Sequence, residues 1–186
     1  MNEPVIMPPR VAFPSGRFAA NNVIRKVTRR GDLAGVFSDD AAWRSIPADT
    51  PIYQVEMLDA PQQEGELFVG TTRLQPGRVG DEFYMTRGHF HQRREQAEIY
   101  VGLGGAGLLL LQTEQGQVRI EQAGAGSVHH IPPFTAHRLV NTGDEILVLL
   151  AVWPAVAGHD YAALAGGFAV RIKADGKGWR AEKNHG

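Results

Sequence analysis

The chain contains no cysteine. This absence excludes disulfides, thiolate nucleophiles and cysteine-ligated zinc sites, and it leaves histidine and the carboxylates as the strong metal ligands. An excess of charge is also lacking, because 19 Lys and Arg side chains stand against 20 Asp and Glu, for a formal net charge of -1. Nothing in this balance would hold a nucleic-acid backbone or an anionic membrane surface, so we expect neither as a partner.

Long apolar runs are scarce as well. The longest, residues 146–152, suits one buried strand and is far too short to span a bilayer. Residues 1–18 hold several prolines but no apolar core of signal-peptide length. At 186 residues the chain is long enough for one domain with a sizeable core, and we expect a cytoplasmic location.

Short apolar segments alternate with turn residues between about residues 52 and 155. Glycine, proline, asparagine and aspartate mark the breaks, for example at Pro76-Gly77 and Pro132-Pro133. Many short strands at nearly even spacing predict an all-β antiparallel barrel or sandwich. The predicted strands span residues 52–58, 68–74, 83–86, 97–103, 107–112, 117–122, 127–131, 137–141 and 145–152.

The flanking regions have a weaker pattern. We expect residues 1–50 to form an N-terminal segment of the same domain that wraps the core or contacts a second subunit. Within it, Ser38-Asp39-Asp40 precedes an Ala-Ala-Trp-Arg stretch, which predicts an N-cap and one or two helical turns. Residues 51–165 are assigned to the barrel, and residues 166–186 to a C-terminal tail, charged towards its end and with mobile last residues.

A group of histidines carries the main chemical signal. His89 and His91 are two residues apart, so on a strand both imidazoles point to the same face and can reach one ion. Glu98 lies seven residues after His91, and His137 comes much later, just after a proline pair. A His-x-His pair alone is common by chance, but three imidazoles with one carboxylate suit a divalent first-row metal with open coordination positions.

The order and spacing of these residues resemble the two sequence motifs of the cupin superfamily. The first motif runs from the histidine pair to Gly105, and the second runs from Gly126 to Asn141. The chain departs from the second motif at Phe134, where cupins usually have glycine. The resemblance implies a single cupin barrel, which is a double-stranded β-helix or jelly roll, with short peripheral helices.

Two carboxylates compete for the place of the acidic ligand. The usual cupin spacing would select Glu95, which lies in a polar stretch typical of a solvated loop. Glu98 instead lies within an apolar strand, where burying an unpaired carboxylate is costly and a bound metal would remove that cost. We therefore assign Glu98 as the ligand.

Longer strings narrow the resemblance to the cupin-type phosphoglucose isomerases. They include residues 82–91 (Glu-Phe-Tyr-Met-Thr-Arg-Gly-His-Phe-His), residues 132–138 (Pro-Pro-Phe-Thr-Ala-His-Arg) and residues 158–161 (Gly-His-Asp-Tyr). The similarity covers roughly residues 50–165. It implies interconversion of glucose 6-phosphate and fructose 6-phosphate, one divalent metal per subunit, and a homodimer. Fe(II) is the metal that the resemblance favours, with Mn(II), Ni(II) or Zn(II) as alternatives.

The resemblance also implies roles for individual residues. Glu98 is the expected catalytic base as well as a ligand, and His159 is expected to face the substrate and to assist ring opening or proton transfer. The chain has Trp153 where relatives carry tyrosine, which leaves no hydroxyl at that position. The expected metal ligands are His89, His91, Glu98 and His137, and the expected substrate-binding residues are Tyr53, Thr72, Thr86, Gly88 and Tyr161.

Other functions stay open on the sequence. The same ligands could serve a free-sugar isomerase or an Fe(II) dioxygenase, and the fold could serve a non-catalytic sugar-phosphate-binding cupin. Tyrosine and threonine hydroxyls, together with the backbone N–H of Gly88, are neutral donors that can hold phosphate oxygens, which favours a phosphorylated substrate. A regulatory sugar-binding cupin would normally carry a DNA-binding helical domain, and the sequence has no candidate for one.

Overall fold

The computed structural model describes residues 5–13 and 15–184, and it confirms the all-β prediction. Apart from the single short helix α1 (Asp40–Ser45) and two 3-10 turns (Arg30–Leu33 and Ala162–Leu164), regular structure in these residues is strand. The strands are β1 (Arg10–Ala12), β2 (Arg17–Ala19), β3 (Val23–Arg29), β4 (Pro51–Leu58), β5 (Leu67–Leu74), β6 (Arg78–Val79), β7 (Glu82–Phe83), β8 (Glu98–Gly104), β9 (Ala106–Thr113), β10 (Val118–Gly124), β11 (Val128–Ile131), β12 (Thr135–Val140), β13 (Leu147–Pro154), β14 (Val170–Asp175) and β15 (Gly178–Lys183).

Two sheet layers form the barrel. The first is six-stranded, in the order β11-β8-β13-β5-β4-β3. The second combines β10-β9-β12 with β15-β14-β7-β6, because the chain after β7 runs antiparallel to β12 through the bridges Met85–Val140 and His89–His137. The result is a single cupin barrel, as expected. The His-x-His segment therefore lies directly beside the strand that carries His137.

Apolar side chains from both layers fill the space between the sheets. Leu74 on β5 and Leu149 on β13 come from the first layer, and Leu109 on β9 and Leu139 on β12 come from the second; each is at most 1% exposed. Burying one leucine side chain contributes about 2 kcal/mol, so this core holds the two layers in register. The site residues are fixed on strands that share this core.

The N-terminal segment is attached through strand pairing and a buried carboxylate. β3 pairs with β4 along its length. Glu56 on β4 is fully buried and accepts hydrogen bonds from the Phe18 backbone N–H and from Arg25 Nε, both at 3.2 Å. The helix prediction is confirmed, since Asp39 caps α1 by accepting from the Ala42 N–H at 2.8 Å.

The hairpin of β14 and β15 lies beyond residue 152, where the sequence predicted no further strand. Phe168 and Ile172 are each 1% exposed within the core. Arg171 on β14 pairs with the buried Glu82 on β7 at 2.9 Å, which joins the hairpin to the second layer. The hairpin therefore extends that layer. The division of the chain at residues 50 and 165 stays a prediction.

None of the helices in the described part of the chain is long and apolar enough to cross a membrane.

Candidate functional site

One cavity inside the barrel collects nearly all the residues singled out from the sequence. Strands β4, β5, β8, β12 and β13 contribute to its walls, together with the segment after β7 and the chain around residue 160. Of the predicted site residues, only His91 is not part of the lining. The predicted residues that line the cavity are Tyr53, Thr72, Thr86, Gly88, His89, Glu98, His137, His159 and Tyr161.

Three imidazoles meet at one end of this cavity. One ring nitrogen from each of His89, His91 and His137 lies within 4.8 Å of the other two, a spacing that could hold a metal ion. Backbone pairing sets this arrangement, because the His137 N–H donates to the His89 carbonyl at 3.1 Å. The two strands therefore bring His137 next to a pair of histidines that lie nearly fifty residues earlier.

Glu98 lies beside two of these imidazoles. Its Oε2 is 3.1 Å from Nε2 of His91 and 3.1 Å from Nε2 of His137. The carboxylate is 5% exposed. Although its burial raises the pKa, the charges of and hydrogen bonds from His137 and His91 outweigh that effect and lower the pKa of Glu98 below its ordinary value. The side chain is therefore an anion at neutral pH.

Glu95, the other candidate carboxylate, lies outside this arrangement. Its Oε1 accepts from Arg93 Nε at 2.9 Å, and its side chain is 54% exposed. The Arg93 hydrogen bond contributes to lowering the pKa of Glu95, after a backbone hydrogen bond as the larger cause. An exposed carboxylate with its own cationic partner has no need of a metal ion.

The donor set fits a bound metal. Nε2 of His89 and Nδ1 of His137 are buried without a hydrogen-bond partner among the described residues, and Nε2 of His137 has only the 3.1 Å approach to Glu98 Oε2. His91 Nδ1 is 2.9 Å from the Gln96 carbonyl oxygen, which can only accept, so the proton of a neutral His91 ring is on Nδ1. A lone pair on His91 Nε2 then faces the Glu98 oxygen. A cation between these atoms would be held by one ring nitrogen of each imidazole and by the Glu98 carboxylate.

Burial shifts the titration of His89 in the same sense. Desolvation and the neighbouring rings of His137, His159 and His91 lower the pKa of His89 well below its ordinary value. The ring of His89 is therefore neutral, which is the form that binds metal.

His159 and Tyr161 stand over the imidazoles from a separate segment. The rings of His159 and His89 are 4.4 Å apart, and the His159 and Tyr161 rings stack at 5.9 Å with an interplanar angle of 6°. This segment is extended beside Phe90, with the Asp160 N–H donating to the Phe90 carbonyl at 2.8 Å. His159 and Tyr161 therefore face the same side of this segment.

The cavity walls supply neutral hydrogen-bond donors. Thr86 Oγ1 accepts from the Leu139 N–H at 3.0 Å, which leaves the Thr86 hydroxyl proton free to donate. Thr72 and Tyr53 lie on the neighbouring strands β5 and β4 of the opposite layer, and their hydroxyls have no hydrogen-bond partner among the described residues. These groups face the cavity from both layers.

Three further groups at the site were not assigned from the sequence. Tyr100 lies on the same strand face as Glu98, and burial together with the Glu98 charge raises its pKa well above the ordinary value, so the phenol stays protonated. Arg87 lines the cavity, and its guanidinium lies 4.8 Å from the centroid of the Tyr161 ring. Lys26, on the N-terminal strand β3, is close enough to contribute to lowering the pKa of His159, for which desolvation is the largest cause.

Strand alternation was an available signal for two of these groups. Alternation puts Tyr100 on the same strand face as Glu98, and it predicts that Arg87 shares a face with His89. Gly88, with φ at +73°, interrupts that alternation between Arg87 and His89. Lys26 had no local signal, because only the pairing of β3 with β4 brings it near the cavity.

Comparison with known proteins identifies the family. Residues 27–186 match the model of the family described as glucose-6-phosphate isomerase. The chain belongs to the glucose-6-phosphate isomerase family. The resemblance seen in the sequence is thus confirmed, and the match extends beyond it at both ends, through the hairpin of β14 and β15.

Relatives in both archaea and bacteria support this membership. The glucose-6-phosphate isomerase of Pyrococcus horikoshii is 43% identical over 158 residues, covering 84% of this chain and 82% of that protein. That of Sinorhizobium medicae is 45% identical over 159 residues, covering 82% of this chain and 74% of that protein. Among solved structures, an oxalate oxidase bound to glycolate aligns with a TM-score of 0.48 at 16% identity, over 57% of this chain and 53% of that one.

Proposed function

We propose that this member of the glucose-6-phosphate isomerase family interconverts glucose 6-phosphate and fructose 6-phosphate in the barrel cavity. One observation carries the proposal: a chain of this family places three imidazoles and a buried carboxylate at one end of a cavity whose other walls carry free hydroxyls. The imidazoles and the carboxylate suit the reacting carbons of a sugar, and the hydroxyls suit its phosphate group.

We infer that the imidazoles of His89, His91 and His137 and the carboxylate of Glu98 hold one divalent first-row metal ion. Fe(II) is the expected ion, and the nitrogen-rich donor set also accepts Mn(II), Ni(II) or Zn(II). When bound, such an ion polarises a substrate carbonyl and stabilises developing negative charge on its oxygen. The buried nitrogens of His89 and His137 that lack hydrogen-bond partners support this assignment.

Glu98 is the proposed base that moves a proton between C1 and C2 through a cis-enediol. Oε2 of Glu98 faces His91 and His137, while Oε1 has no hydrogen bond or ion pair with the described residues and is available to the substrate. The lowered pKa keeps the carboxylate unprotonated and ready to accept a proton. The two oxygens thus divide ligation and proton transfer between them.

His159 is the proposed second catalytic group. Its ring lies above His89 and next to Tyr161 at the cavity mouth. Desolvation is the largest cause that lowers the pKa of His159, and His137, His91 and Lys26 add to it against the opposing charge of Glu98. A neutral ring can accept the hydroxyl proton of a cyclic sugar and return it after ring opening. Tyr161, stacked on this ring, keeps the imidazole facing the substrate.

The phosphate is proposed to bind on the side of the cavity away from the three imidazoles. The Thr86 hydroxyl and the Gly88 N–H come from the segment after β7, and the Tyr53 and Thr72 hydroxyls come from the opposite layer. Together with Tyr161 they surround a phosphoryl group with donors. Arg87 at the cavity wall adds a positive charge on the same side.

The test is an assay of fructose 6-phosphate isomerisation by the purified chain before and after chelation, followed by addition of Fe(II), Mn(II), Ni(II) or Zn(II). We expect chelation to abolish turnover and one of the ions to restore it. Absence of turnover with every ion would refute the isomerase proposal, and undiminished turnover after chelation would refute the metal assignment. The homodimer expected from the resemblance stays a prediction, which analytical ultracentrifugation would check.

A further inference from the structure

Arg138 is a buried cation that forms no ion pair with any residue the structure describes. It follows His137 on β12, points to the other face of the strand and is 6% exposed. Its guanidinium lies 4.7 Å from the centroid of the Phe168 ring, and its Nε has no partner among the described residues. An arginine guanidinium stays protonated in proteins, so this buried group carries a positive charge. A buried charge of this kind is costly and calls for a functional reason.

Among the described residues, the guanidinium of Arg138 has one hydrogen bond, to the segment beside the proposed metal ligands. Nη2 of Arg138 donates to the carbonyl oxygen of Arg87 at 2.6 Å. That carbonyl and the Gly88 N–H belong to the same planar peptide group, and in a trans peptide they point in opposite directions. The Gly88 N–H therefore points away from Arg138.

Gly88 lies in the wall between two cavities. One is the cavity that contains Glu98 and the imidazoles, and the other is a smaller one that Arg138 lines. Pointing away from Arg138 means pointing into the first cavity. No described residue accepts a hydrogen bond from the Gly88 N–H, so this donor is left for a ligand.

The surrounding residues leave this peptide little freedom. Gly88 has φ at +73°, and a Cβ there would come within 2.7 Å of the Phe168 ring and 3.1 Å of Arg138 Nε. The neighbouring strand also fixes Thr86, whose hydroxyl accepts from the Leu139 N–H. β12 thus holds two adjacent cavity donors, through Arg138 and through Leu139.

We propose that Arg138 is a positioning residue for the substrate phosphate: it turns the Gly88 N–H into the cavity and, through its charge, strengthens that N–H as a donor to a phosphate dianion. The guanidinium never contacts the substrate itself. This inference rests on the proposed isomerase function, because it takes the ligand to be a sugar phosphate.

The test uses Arg138→Met, which keeps the length of the side chain and removes its charge, and Arg138→Lys, which keeps the charge. We expect Arg138→Met to raise KM for fructose 6-phosphate and Kd for glucitol 6-phosphate about tenfold, the effect of one weakened hydrogen bond to a charged group. The value of kcat and the metal content should stay within about threefold, since the metal ligands are untouched. Arg138→Lys should recover part of the affinity.

The matched control is Arg171, a largely buried arginine that pairs with Glu82 and does not line the cavity. Arg171→Met and Arg171→Lys should lower Tm without changing KM or the Kd of glucitol 6-phosphate. NMR also distinguishes a positioning role of Arg138 from a merely structural one. In the wild-type chain the Gly88 amide resonance should shift when glucitol 6-phosphate is added, and that shift should shrink in Arg138→Lys, the variant that retains a charge and folds most readily.

One outcome would overturn the inference about Arg138, and another would overturn the proposed isomerase function. If the Arg138 variants lose Tm while KM and the Gly88 resonance behave as in wild type, Arg138 is merely structural and the inference is wrong. If the wild-type chain with metal neither isomerises fructose 6-phosphate nor binds glucitol 6-phosphate, the proposed function fails instead. Wild-type turnover is therefore measured first.

Discussion

Arg94 Nη2 lies 2.6 Å from Asp160 Oδ2. The same guanidinium donates through Nη1 to the backbone carbonyl of His91. One side chain thus connects the backbone of a proposed metal ligand with the segment that carries His159 and Tyr161. The Asp160 carboxylate also accepts from the Ala163 N–H at 3.1 Å, which fixes the turn that follows.

Removing this connection should impair the proposed reaction more than it impairs the fold. We expect Asp160→Ala to lower kcat/KM about tenfold, because His159 and Tyr161 lose the anchor that positions them, and Asp160→Asn to lower it less. Steady-state kinetics measures the effect. Glu114→Gln is the matched control, since it removes the other, exposed carboxylate that pairs with Arg94, at 3.3 Å. Equal losses in the two variants would contradict the anchoring role.

Replacing the buried carboxylate should abolish turnover. We expect Glu98→Gln to lower kcat by about 10²- to 10⁴-fold, the range typical of a removed general base, with an unchanged circular dichroism spectrum. Glu95→Gln is the control, because Glu95 is exposed and hydrogen-bonded to Arg93. If Glu98→Gln retains full activity while Glu95→Gln does not, the assignment of the carboxylate is wrong.

Metal binding should stabilise the folded chain. At a free Fe(II) or Mn(II) concentration one hundred times Kd, we expect about 2.7 kcal/mol of added stability, which corresponds to a rise in Tm of roughly 5–10 °C for a chain of this length. His91→Asn should lose this rise in a thermal melt. His130→Asn, at an exposed histidine on β11, should keep it. A rise that survives in His91→Asn would place the ion elsewhere.

The residue that departs from the second cupin motif has an unfavourable backbone conformation. Phe134 has φ at +59°, the only positive φ outside glycine in the described residues, and its side chain is 53% exposed. A left-handed conformation costs a non-glycine residue about 1–2 kcal/mol, and glycine loses about 0.5–1 kcal/mol more conformational entropy on folding. Phe134→Gly should therefore raise the free energy of unfolding by about 0.5–1 kcal/mol.

Urea denaturation measures this change, and Phe134→Ala is its control. The alanine variant removes the exposed ring but keeps the unfavourable φ, so it should gain no stability. Equal stabilisation of both variants would mean that the ring, and not the backbone, is the source of the strain. Turnover should be unaffected in both, since Phe134 does not line the cavity.

Most of the barrel was predictable because its strands are short, apolar and bounded by turn residues. The predicted ends of β4, β5 and β8 agree with the structure to within one residue. The hairpin of β14 and β15 was missed, although Val170, Ile172 and Ala174 alternate with polar residues. The charge and the glycines of that region weakened the pattern, and only pairing with β7 gives the alternation a sheet to join.

The candidate site likewise has residues that the sequence predicts and residues that only the folded structure brings to the cavity. The types and order of His89, His91, Glu98 and His137 are fixed along the chain, and so are the hydroxyls expected near the phosphate. Arg87, Lys26 and Arg138 acquire a relation to the cavity only through contacts between segments distant in sequence. Alternation predicts which face of a strand a side chain takes, but it does not predict what lies opposite.

The sequence alone thus determined the all-β class, the metal-type histidine set and the family, because these depend on local periodicity and on the order of a few residue types. The sequence favoured Glu98 over Glu95 because Glu98 lies in an apolar strand, but only the tertiary structure decided its contacts, since the 3.1 Å approaches to His91 and His137 arise when β8 packs against the strands of the second layer. The tertiary structure likewise decided the direction of the Gly88 N–H, which is set by a side chain fifty residues away. Long-range packing fixes such directions, and no short stretch of sequence contains them.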